Sequence, residues 1–424
     1  MNRSSSLIVL LFLTGSLLAE GGAPGQSETG RTRILVTFSD PAIGSSARVT
    51  ASRPGYKRST STYLVSLGVR RTAKRIASEF KLKIVDEWPI LSLRVHCLVY
   101  EVPDKTDIDD LLLRLQQTAE VDSAQRLNVF EVSAENELAT EKSYANLQHS
   151  LDMLELAQAH QWSRGDHIRI SIIDTAVDTE HPDLKASISS QHDFVSHVAH
   201  ETSSKAHGTA VAGVIGADAD NGIGIIGVAP ASRLQILRAC WHQPNRSSAV
   251  CDSFTLAKSL DYAIDSKSDI INLSLNGPSD ALLGRMVEQA LENGIVVIAA
   301  APEHSRSGFP AELDGVIAVG TSQPPQMEQA QHLPQIRAPG TDILVAVPKG
   351  RYDFASGSSL SAAHVTGIVA LLIASRPRLS TEKVRSLLIG SQSANYGSVN
   401  ACLALAELLS KTGCQQDQLV SERF

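Results

Sequence analysis

Gly357-Ser-Ser-Leu-Ser-Ala-Ala-His-Val-Thr-Gly367 is a Gly/Ser turn that runs directly into an apolar segment, residues 368–374. Small or apolar residues recur there with helical spacing, which predicts a helix buried on most of its surface. Ser359 lies on the first turn, where free N–H groups and the helix dipole favour negative charge. This setting suits a serine nucleophile, because attack on a carbonyl creates an oxyanion. The alternative is that Ser358 or Ser359 only caps a core helix.

Two further motifs supply the groups that such a serine needs. Asp174 follows a predicted strand, residues 168–173, at the edge where α/β sheets place their sites. His207 opens His207-Gly-Thr-Ala-Val-Ala-Gly, a small-residue helix start. A histidine must take the serine proton, and a carboxylate must orient that histidine. Singly, Asp174 could cap a turn and His207 could be an ordinary helix-start residue; together the three contexts indicate a triad.

The motifs and their Asp, His, Ser order resemble those of subtilisin-type serine proteases, the subtilase family. The resemblance covers residues 148–405 and extends to Asn272-Leu-Ser-Leu275, Arg337-Ala-Pro-Gly and Gly397-Ser-Val-Asn-Ala401. It implies that Ser359 is the nucleophile, that His207 is the general base and later the acid, and that Asp174 orients His207. The backbone N–H of Ser359 would be one oxyanion donor.

The resemblance also implies a substrate-binding segment, Ser274-Leu275-Asn276, which would pair with an extended peptide. One departure concerns the oxyanion site. After the predicted strand of residues 295–301 the family continues Gly-Asn and uses that asparagine as the second oxyanion donor, whereas this chain has Pro302 and Glu303. We expect an atypical oxyanion hole, because an ionised Glu303 would repel the developing charge and a protonated one could donate.

The predicted fold class is α/β, a doubly wound, mainly parallel sheet with helices on both faces, subtilisin-like and preceded by a small α+β propeptide domain. From residue 148 strands alternate with helices, which is typical of a parallel sheet. The predicted strands are 168–173, 234–237, 270–275, 295–301, 316–319 and 343–347, and the predicted helices are 256–264 and 281–292.

Residues 30–133 form the predicted α+β unit, with strands at 33–38, 93–102 and 128–132 and helices at 69–80 and 107–117. The polar residues 134–147 lack a strand pattern and are interpreted as a linker. The resemblance implies a propeptide that inhibits the enzyme, assists its folding and is cut off; a permanent second domain is the alternative. The predicted division is 1–19 signal peptide, 20–140 propeptide domain with linker, 141–410 peptidase domain and 411–424 tail.

The first 22 residues indicate export: Arg3 precedes an apolar run at 7–18, and cleavage after Ala19 fits. A retained N-terminal anchor is the alternative. We therefore expect a secreted protein, extracellular or periplasmic, without a membrane anchor after signal removal. The net charge of −7 without a long basic run argues against nucleic acid as the main partner. We expect a monomer that acts on protein or peptide substrates.

The five cysteines fit an exported protein. Two short-range disulfides, Cys240–Cys251 and Cys402–Cys414, are the simplest pairing, and Cys97 is left as a buried thiol.

Calcium is a further possibility, because Asp183 and the loop at Asn221 resemble a structural calcium site of the family; a plain Asn-Gly turn is the alternative. No cofactor is expected for the chemistry. We do not expect His364, His181 or His192 to be catalytic.

The sequence therefore predicts a secreted serine endopeptidase with a propeptide. The rival hypothesis is a catalytically attenuated protein of the same fold that acts as a binding or inhibitory module. An intracellular peptidase conflicts with residues 1–22.

Overall fold

The computed structural model describes residues 32–40, 66–132, 137–139, 143–195, 205–242, 249–302, 308–322, 336–393 and 396–414. The predicted signal peptide, Glu303 and most of the predicted tail lie outside the described residues.

The strands are, in chain order, β1 (Arg33–Ser39), β2 (Lys83–Ile90), β3 (Val95–Glu101), β4 (Ser123–Arg126), β5 (Val129–Val132), β6 (Glu137–Ala139), β7 (Arg169–Asp174), β8 (Ile188–Asp193), β9 (Arg233–Arg238), β10 (Cys240–His242), β11 (Ala249–Asp252), β12 (Ile270–Leu273), β13 (Val296–Ala300), β14 (Ile317–Thr321), β15 (Ile336–Ala338), β16 (Ile343–Val347), β17 (Arg351–Ala355), β18 (Gln392–Ser393) and β19 (Ser398–Val399). The helices are α1 (Leu67–Glu79), α2 (Ile108–Gln116), α3 (His149–Met153), α4 (Leu156–Ala159), α5 (Ala206–Gly216), α6 (Ser253–Asp265), α7 (Ala281–Glu292), α8 (Ser358–Ser375), α9 (Thr381–Gly390) and α10 (Ala401–Leu409), with a 3₁₀ turn at Ala145–Leu147.

A seven-stranded parallel sheet forms the centre of the molecule, in the order β15-β14-β13-β12-β7-β9-β8. Successive side chains of a strand point to opposite faces, and β13 shows this directly. Val296, Ile298 and Ala300 join the core that contains α5 and α8, whereas Val297 and Ala299 join the core that contains α6 and α7. The sheet is therefore covered by helices on both faces, which confirms the predicted fold class.

Helix α8 is the central core helix. Among the described residues it is the one helix that is long and apolar enough to cross a membrane, and 83% of that apolar window is buried inside the protein. Its N-terminus lies at the carboxyl edge of the sheet beside β12 and β13, which places Ser359 at that edge. The burial predicted from the spacing of its small residues is confirmed.

The N-terminal unit is a separate four-stranded antiparallel sheet with the order β2-β3-β1-β4. One face packs on α1 and α2, through Ile34, Val36 and Tyr100. The other face, which includes Leu35 and Val99, joins the core formed with α6 and α7 of the larger unit. The two units thus share one hydrophobic core, which contains the buried Cys97.

Several strands depart from the sequence-based expectation. Strand β2 carries Asp86, Glu87 and Pro89, and β8 reads Ile-Ser-Ser-Gln-His-Asp; both are edge strands whose polar residues weaken the strand signal. The polar segment interpreted as a linker contains β6, which pairs with β17. That pairing brings the chain into contact with the larger unit before residue 141.

Candidate active site

Ser359 is the second residue of α8 and is 1% exposed. Gly357 N donates to Gly340 O at 2.7 Å, and Leu360 N donates to Gly357 O at 3.0 Å. The Ser359 hydroxyl donates to Ser274 O at 3.1 Å. The backbone N–H of Ser359 lies among the first amides of the helix, which have no intrahelical acceptor.

Asp174 and His207 are in direct contact. Asp174 is the last residue of β7, and its Oδ1 accepts from Thr175 N at 2.6 Å and from His207 Nδ1 at 2.7 Å. The two side chains are 1% and 5% exposed. Because the carboxylate can only accept, Nδ1 of His207 carries a proton and Nε2 is left to act as a base.

The position of His207 depends on a close approach of α5 to the loop after β7. Gly208 N donates to Thr175 Oγ1 at 2.9 Å. A Cβ at Gly208 would lie 2.8 Å from the carbonyl oxygens of both Thr175 and Ala176. Only glycine fits, so the small-residue helix start holds His207 against Asp174.

The Ser359 and His207 side chains are not hydrogen-bonded to each other. Nε2 of His207 is buried and has no hydrogen-bond partner among the described residues, and the same holds for Oδ2 of Asp174. The structure thus brings Asp174 and His207 together, while the Ser359 hydroxyl faces Ser274.

A buried polar chain supports Ser274 from behind. Asn272 Nδ2 donates to Ser274 Oγ at 2.9 Å, and Thr366 Oγ1 of α8 donates to Asn272 Oδ1 at 2.8 Å. Because each of these polar groups has a hydrogen-bond partner, this series of hydrogen bonds fixes the end of β12 to the helix that carries Ser359.

One wall of the cleft contains two strands, β10 and β11, that the sequence analysis missed. Strands β10, β11 and β5 form an antiparallel sheet in which β5, from the N-terminal unit, pairs with β11. Phe130 of β5 is fully buried and lies 5.9 Å from the ring of Phe309. It lies so close over Gly277 that a Cβ there would overlap its ring. Strand β5 thus pairs with β11, and its Phe130 lies against Gly277, which directly follows the predicted segment Ser274-Leu275-Asn276.

At the expected oxyanion site, the structure describes the end of β13 up to Pro302. Ala301 N donates to Val319 O at 2.7 Å, which holds the end of β13, and Pro302 follows. Glu303, expected at the second donor position, lies outside the described residues.

The other histidines have contacts of their own. His364 is 2% exposed and its Nδ1 donates to Leu360 O at 2.8 Å; burial lowers the pKa of His364 to about 4. His181 accepts from Asp183 N, and the His192 ring contacts the Tyr262 ring in a tilted arrangement with centroids 4.0 Å apart. His242 ends β10, and burial followed by the neighbouring His207 lowers the pKa of His242. No sequence signal marked His242 as a neighbour of the site.

The loop expected to bind calcium is held together by its own hydrogen bonds. Asp183 is fully buried; its Oδ1 accepts from Asn221 Nδ2 at 2.7 Å and its Oδ2 from Ile225 N at 2.9 Å. Oδ1 of Asn221 accepts from Ile223 N at 3.0 Å. Calcium requires six to eight oxygen ligands. Both predicted ligands present oxygens that already accept an N–H group, which leaves each of these oxygens one further lone pair. Calcium binding at this loop stays a prediction.

Two tyrosines fill the space beside that carboxylate. The rings of Tyr144 and Tyr352 meet edge to face at 5.2 Å, and burial together with the Asp183 carboxylate raises the pKa of Tyr352.

The disulfide prediction is confirmed. Cys240–Cys251 has an S–S distance of 1.98 Å and Cys402–Cys414 one of 2.07 Å. Cys97 is a buried free thiol in β3, and burial raises the pKa of Cys97 well above its ordinary value.

Comparison with known proteins shows which family this chain resembles. A profile of the subtilase family (Peptidase_S8) matches residues 165–413. The chain is 33% identical over 248 residues to subtilisin DY of Bacillus licheniformis, which covers 56% of this chain and 87% of that protein. It is 36% identical over 215 residues to a thermophilic serine proteinase of Bacillus sp. (strain AK1), which covers 48% of this chain and 51% of that protein.

Among solved structures, the fold resembles fervidolysin of Fervidobacterium pennivorans, a keratinolytic enzyme related to subtilisin. The TM-score is 0.66 at 20% identity, and the match covers 88% of this chain and 61% of fervidolysin. At that identity the likeness shows the fold alone.

Proposed function

Because the chain belongs to the subtilase family and is a serine endopeptidase of subtilisin type, we propose that it hydrolyses peptide bonds through an acyl-enzyme on Ser359. The observation that carries this assignment is the 2.7 Å contact between Asp174 and His207, with Nε2 of His207 having no hydrogen-bond partner in the described part of the chain. In this proposal the Ser359 hydroxyl leaves Ser274 O and gives its proton to Nε2 as it attacks the substrate carbonyl.

The remaining steps follow from the same groups. Asp174 stabilises the imidazolium that forms on His207, and the backbone N–H of Ser359 donates to the oxyanion. His207 then protonates the leaving amine, and a water molecule, deprotonated by His207, hydrolyses the acyl-enzyme. Subtilases need no cofactor for this chemistry, and calcium has no part in the proposal.

The second oxyanion donor is assigned to the position of Glu303. Pro302 and Glu303 follow β13, and Phe309-Pro310-Ala311 resumes the resemblance, so the register is anchored on both sides. A carboxylate there opposes the negative oxygen, whereas a protonated Glu303 donates to it. This proposal predicts a low kcat at neutral pH.

The N-terminal unit is proposed to be an inhibitory propeptide. Its strand β5 lies on β11 at the cleft wall, where a substrate strand would pair. The turn between β2 and β3 of the same unit is also bound to α6. There the buried carboxylate of Asp261 accepts from Ser92 N at 2.9 Å, Ser92 Oγ at 2.8 Å and Leu91 N at 3.2 Å. Burial raises the pKa of Asp261, whereas the three hydrogen bonds act to lower it. These three hydrogen bonds anchor the N-terminal unit on α6.

Further contacts hold the same interface. Asp280 of the larger unit accepts from Gln125 Nε2 at 2.8 Å and from Asn128 Nδ2 at 3.0 Å. Lys258 of α6 is 3% exposed, lies over the Phe254 ring at 4.1 Å, and approaches Asp86 at 3.6 Å. Apolar burial with satisfied polar groups is typical of stable interfaces.

The cleavage point is proposed to lie between Val132 and Glu137. Strand β5 ends at Val132 on one side of the cleft, and β6 begins at Glu137 on β17, which ends two residues before Gly357. The two described strands that flank the proposed cleavage point thus pair with β11 and with the strand that leads to Ser359. The proposal also includes secretion to an extracellular or periplasmic space, which the two disulfides support. It further includes a monomeric state.

A fluorophosphonate probe tests the function. We expect the purified processed protein to be labelled at Ser359 and to cleave a quenched casein substrate. Asp174→Asn should lower kcat about 10⁴-fold, because His207 loses its orienting acceptor. Ser359→Ala should abolish labelling while leaving the fold intact by circular dichroism.

The rival hypothesis of an attenuated binding module has one supporting observation, the Ser359 hydroxyl turned to Ser274. A processed protein that folds but neither reacts with the probe nor cleaves casein would favour that rival.

A further inference from the structure

We propose that the Cys240–Cys251 disulfide is a positioning element of the cleft: it fixes β11 for an extended chain and forms one wall of a pocket for an aromatic residue. This inference deepens the proposed function, because it takes β5 as the stand-in for a substrate strand.

The strand register places the disulfide beside the aromatic ring. Cys240 is paired directly with Cys251, and Cys251 is paired directly with Phe130. Directly opposed residues of antiparallel strands project from the same face of the sheet. The two sulfur atoms and the Phe130 ring therefore lie in one row across three strands. All three residues have no exposed surface.

The other walls of the pocket are apolar. Phe130 shares its core cluster with Phe254 of α6, Leu275 after β12, and Phe309. The backbone of Gly277 forms the floor, held by a hydrogen bond from Gly277 N to Phe309 O at 3.0 Å. Such a pocket fits an aromatic or large aliphatic side chain and offers no partner for a charged one.

The disulfide also anchors the strand that supplies the backbone groups. A hairpin of this size is marginal without further support, since β10 and β11 pair through three residues. Asp252 fixes one end of β11 by capping α6, accepting from Phe254 N at 3.0 Å and Thr255 N at 2.8 Å. At Cys251 the disulfide ties β11 to β10, which follows Ala239, whose N–H donates to Asp174 O at 2.9 Å. The disulfide thus connects the cleft edge to the strand of Asp174.

The second disulfide provides a matched control. Cys402–Cys414 closes a loop of similar length, with a sequence separation of 12 against 11. It packs in a separate cluster with Trp162 and Leu403. Its removal changes the number of cross-links equally and leaves the cleft untouched.

Hydrogen–deuterium exchange on the full-length Ser359→Ala chain tests the proposal without requiring turnover. We expect Cys240→Ser/Cys251→Ser to accelerate exchange of the β5 amides about tenfold while β1 stays unchanged. Cys402→Ser/Cys414→Ser should leave β5 unchanged. Phe130→Ala, which keeps both disulfides, should loosen β5, and adding it to the opened disulfide should accelerate β5 further by less than its separate effect. Unchanged β5 exchange, or equal acceleration in β1 and β5, would overturn the proposal.

A kinetic measurement separates positioning from general support. In the processed enzyme, opening Cys240–Cys251 should raise KM about tenfold for a peptide that carries the residue 129–137 sequence, with kcat within twofold. A peptide with alanine in place of Phe130 should show no such change. Equal loss on both peptides would contradict the proposal. If the wild-type enzyme cleaves neither peptide, the proposed function fails, whereas the exchange experiment still decides the role of the disulfide.

Discussion

Ser274 and Ser359 hydrogen-bond reciprocally: the Ser359 hydroxyl donates to Ser274 O at 3.1 Å, and the Ser274 hydroxyl donates to Ser359 O at 3.2 Å. The main chain of Ser359 is thereby fixed to the end of β12. The hydroxyl of Ser359 is the group that can change its hydrogen-bond partner. Nε2 of His207, which has no partner among the residues that the structure describes, is the base that we propose for it.

The first prediction concerns maturation. If the chain cuts itself, Ser359→Ala should be recovered as one polypeptide with the bond between residues 132 and 137 intact, whereas the parent chain should be cut there. Intact-mass measurement of both proteins distinguishes the two forms. Identical processing of the variant would mean that another protease makes the cut.

The second prediction concerns Glu303. Ionised at neutral pH, since a glutamate has a reference pKa of about 4.3, it would oppose the oxyanion. Glu303→Asn should raise kcat at pH 7.5 at least about tenfold, a fraction of the effect of one oxyanion donor. It should also flatten the acidic side of the kcat profile, because protonation of the glutamate no longer contributes.

Glu303→Gln is the control for that experiment, because it removes the charge and keeps the longer reach. Kinetics against pH on one peptide substrate compare the three forms. Neutral-pH rates that stay equal or fall in both variants would place Glu303 away from the oxyanion.

The third prediction tests the interface at Asp261. Asp261→Ala leaves the N–H groups of Leu91 and Ser92 without their acceptor, which costs about 1–3 kcal/mol. In the Ser359→Ala chain this should raise the rate at which a thiol reagent labels Cys97 about tenfold, because that thiol is buried in the shared core. Asp109→Ala, which removes the exposed ion pair with Arg126, is the matched control. Equal rates of Cys97 labelling in the two variants would mean that exposure of Cys97 does not depend on release of the N-terminal unit through Asp261.

The parallel core of this protein could be predicted from the sequence, whereas its cleft wall could not. Strand β13, Val-Val-Ile-Ala-Ala, is buried on both faces and appears in the sequence as a continuous apolar run. Strand β11 is only Ala-Val-Cys-Asp, and it becomes a strand through β10, β5 and a disulfide. Those partners come from distant parts of the chain, so no local pattern contains them.

The residues of the proposed triad could be singled out for a different reason. Asp174, His207 and Ser359 each occur in a motif whose small residues are required by backbone approach, as Gly208 shows. The hydrogen bond from Ser359 to Ser274, and the closed Asp183 loop, depend on side-chain orientation, which motif spacing does not determine.

The fourth prediction concerns calcium. Because the oxygens of Asp183 and Asn221 already accept N–H groups, a chelator should change the Tm of the Ser359→Ala chain by less than about 1 °C. Asp183→Asn should cost about 1–3 kcal/mol through the lost acceptor for Ile225 N. Scanning calorimetry with chelator and with added calcium measures both. Stabilisation by calcium in the parent chain but not in Asp183→Asn would support calcium binding at this loop.

The fifth prediction concerns acid stability. His364 has a folded-state pKa of about 4 against an unfolded value of about 6.5, so the folded protein binds the proton less readily. As pH falls from 6.5 to 4 the unfolded chain is protonated first, and about 3 kcal/mol of stability should be lost. Below pH 4 this contribution becomes constant. Urea unfolding of Ser359→Ala at pH 7, 5 and 4, with and without His364→Gln, measures it. A pH dependence unaffected by His364→Gln would assign the acid sensitivity to other groups.

Strand β5 gives the pairing of Phe130 with β11 a practical meaning. A propeptide that lies along the cleft is a ligand encoded in the same gene as its receptor. Val129-Phe-Glu-Val132 is therefore a template for a peptide library in which the aromatic residue is held constant and the neighbouring positions are randomised. The search for natural substrates then begins from a segment of the protein's own sequence.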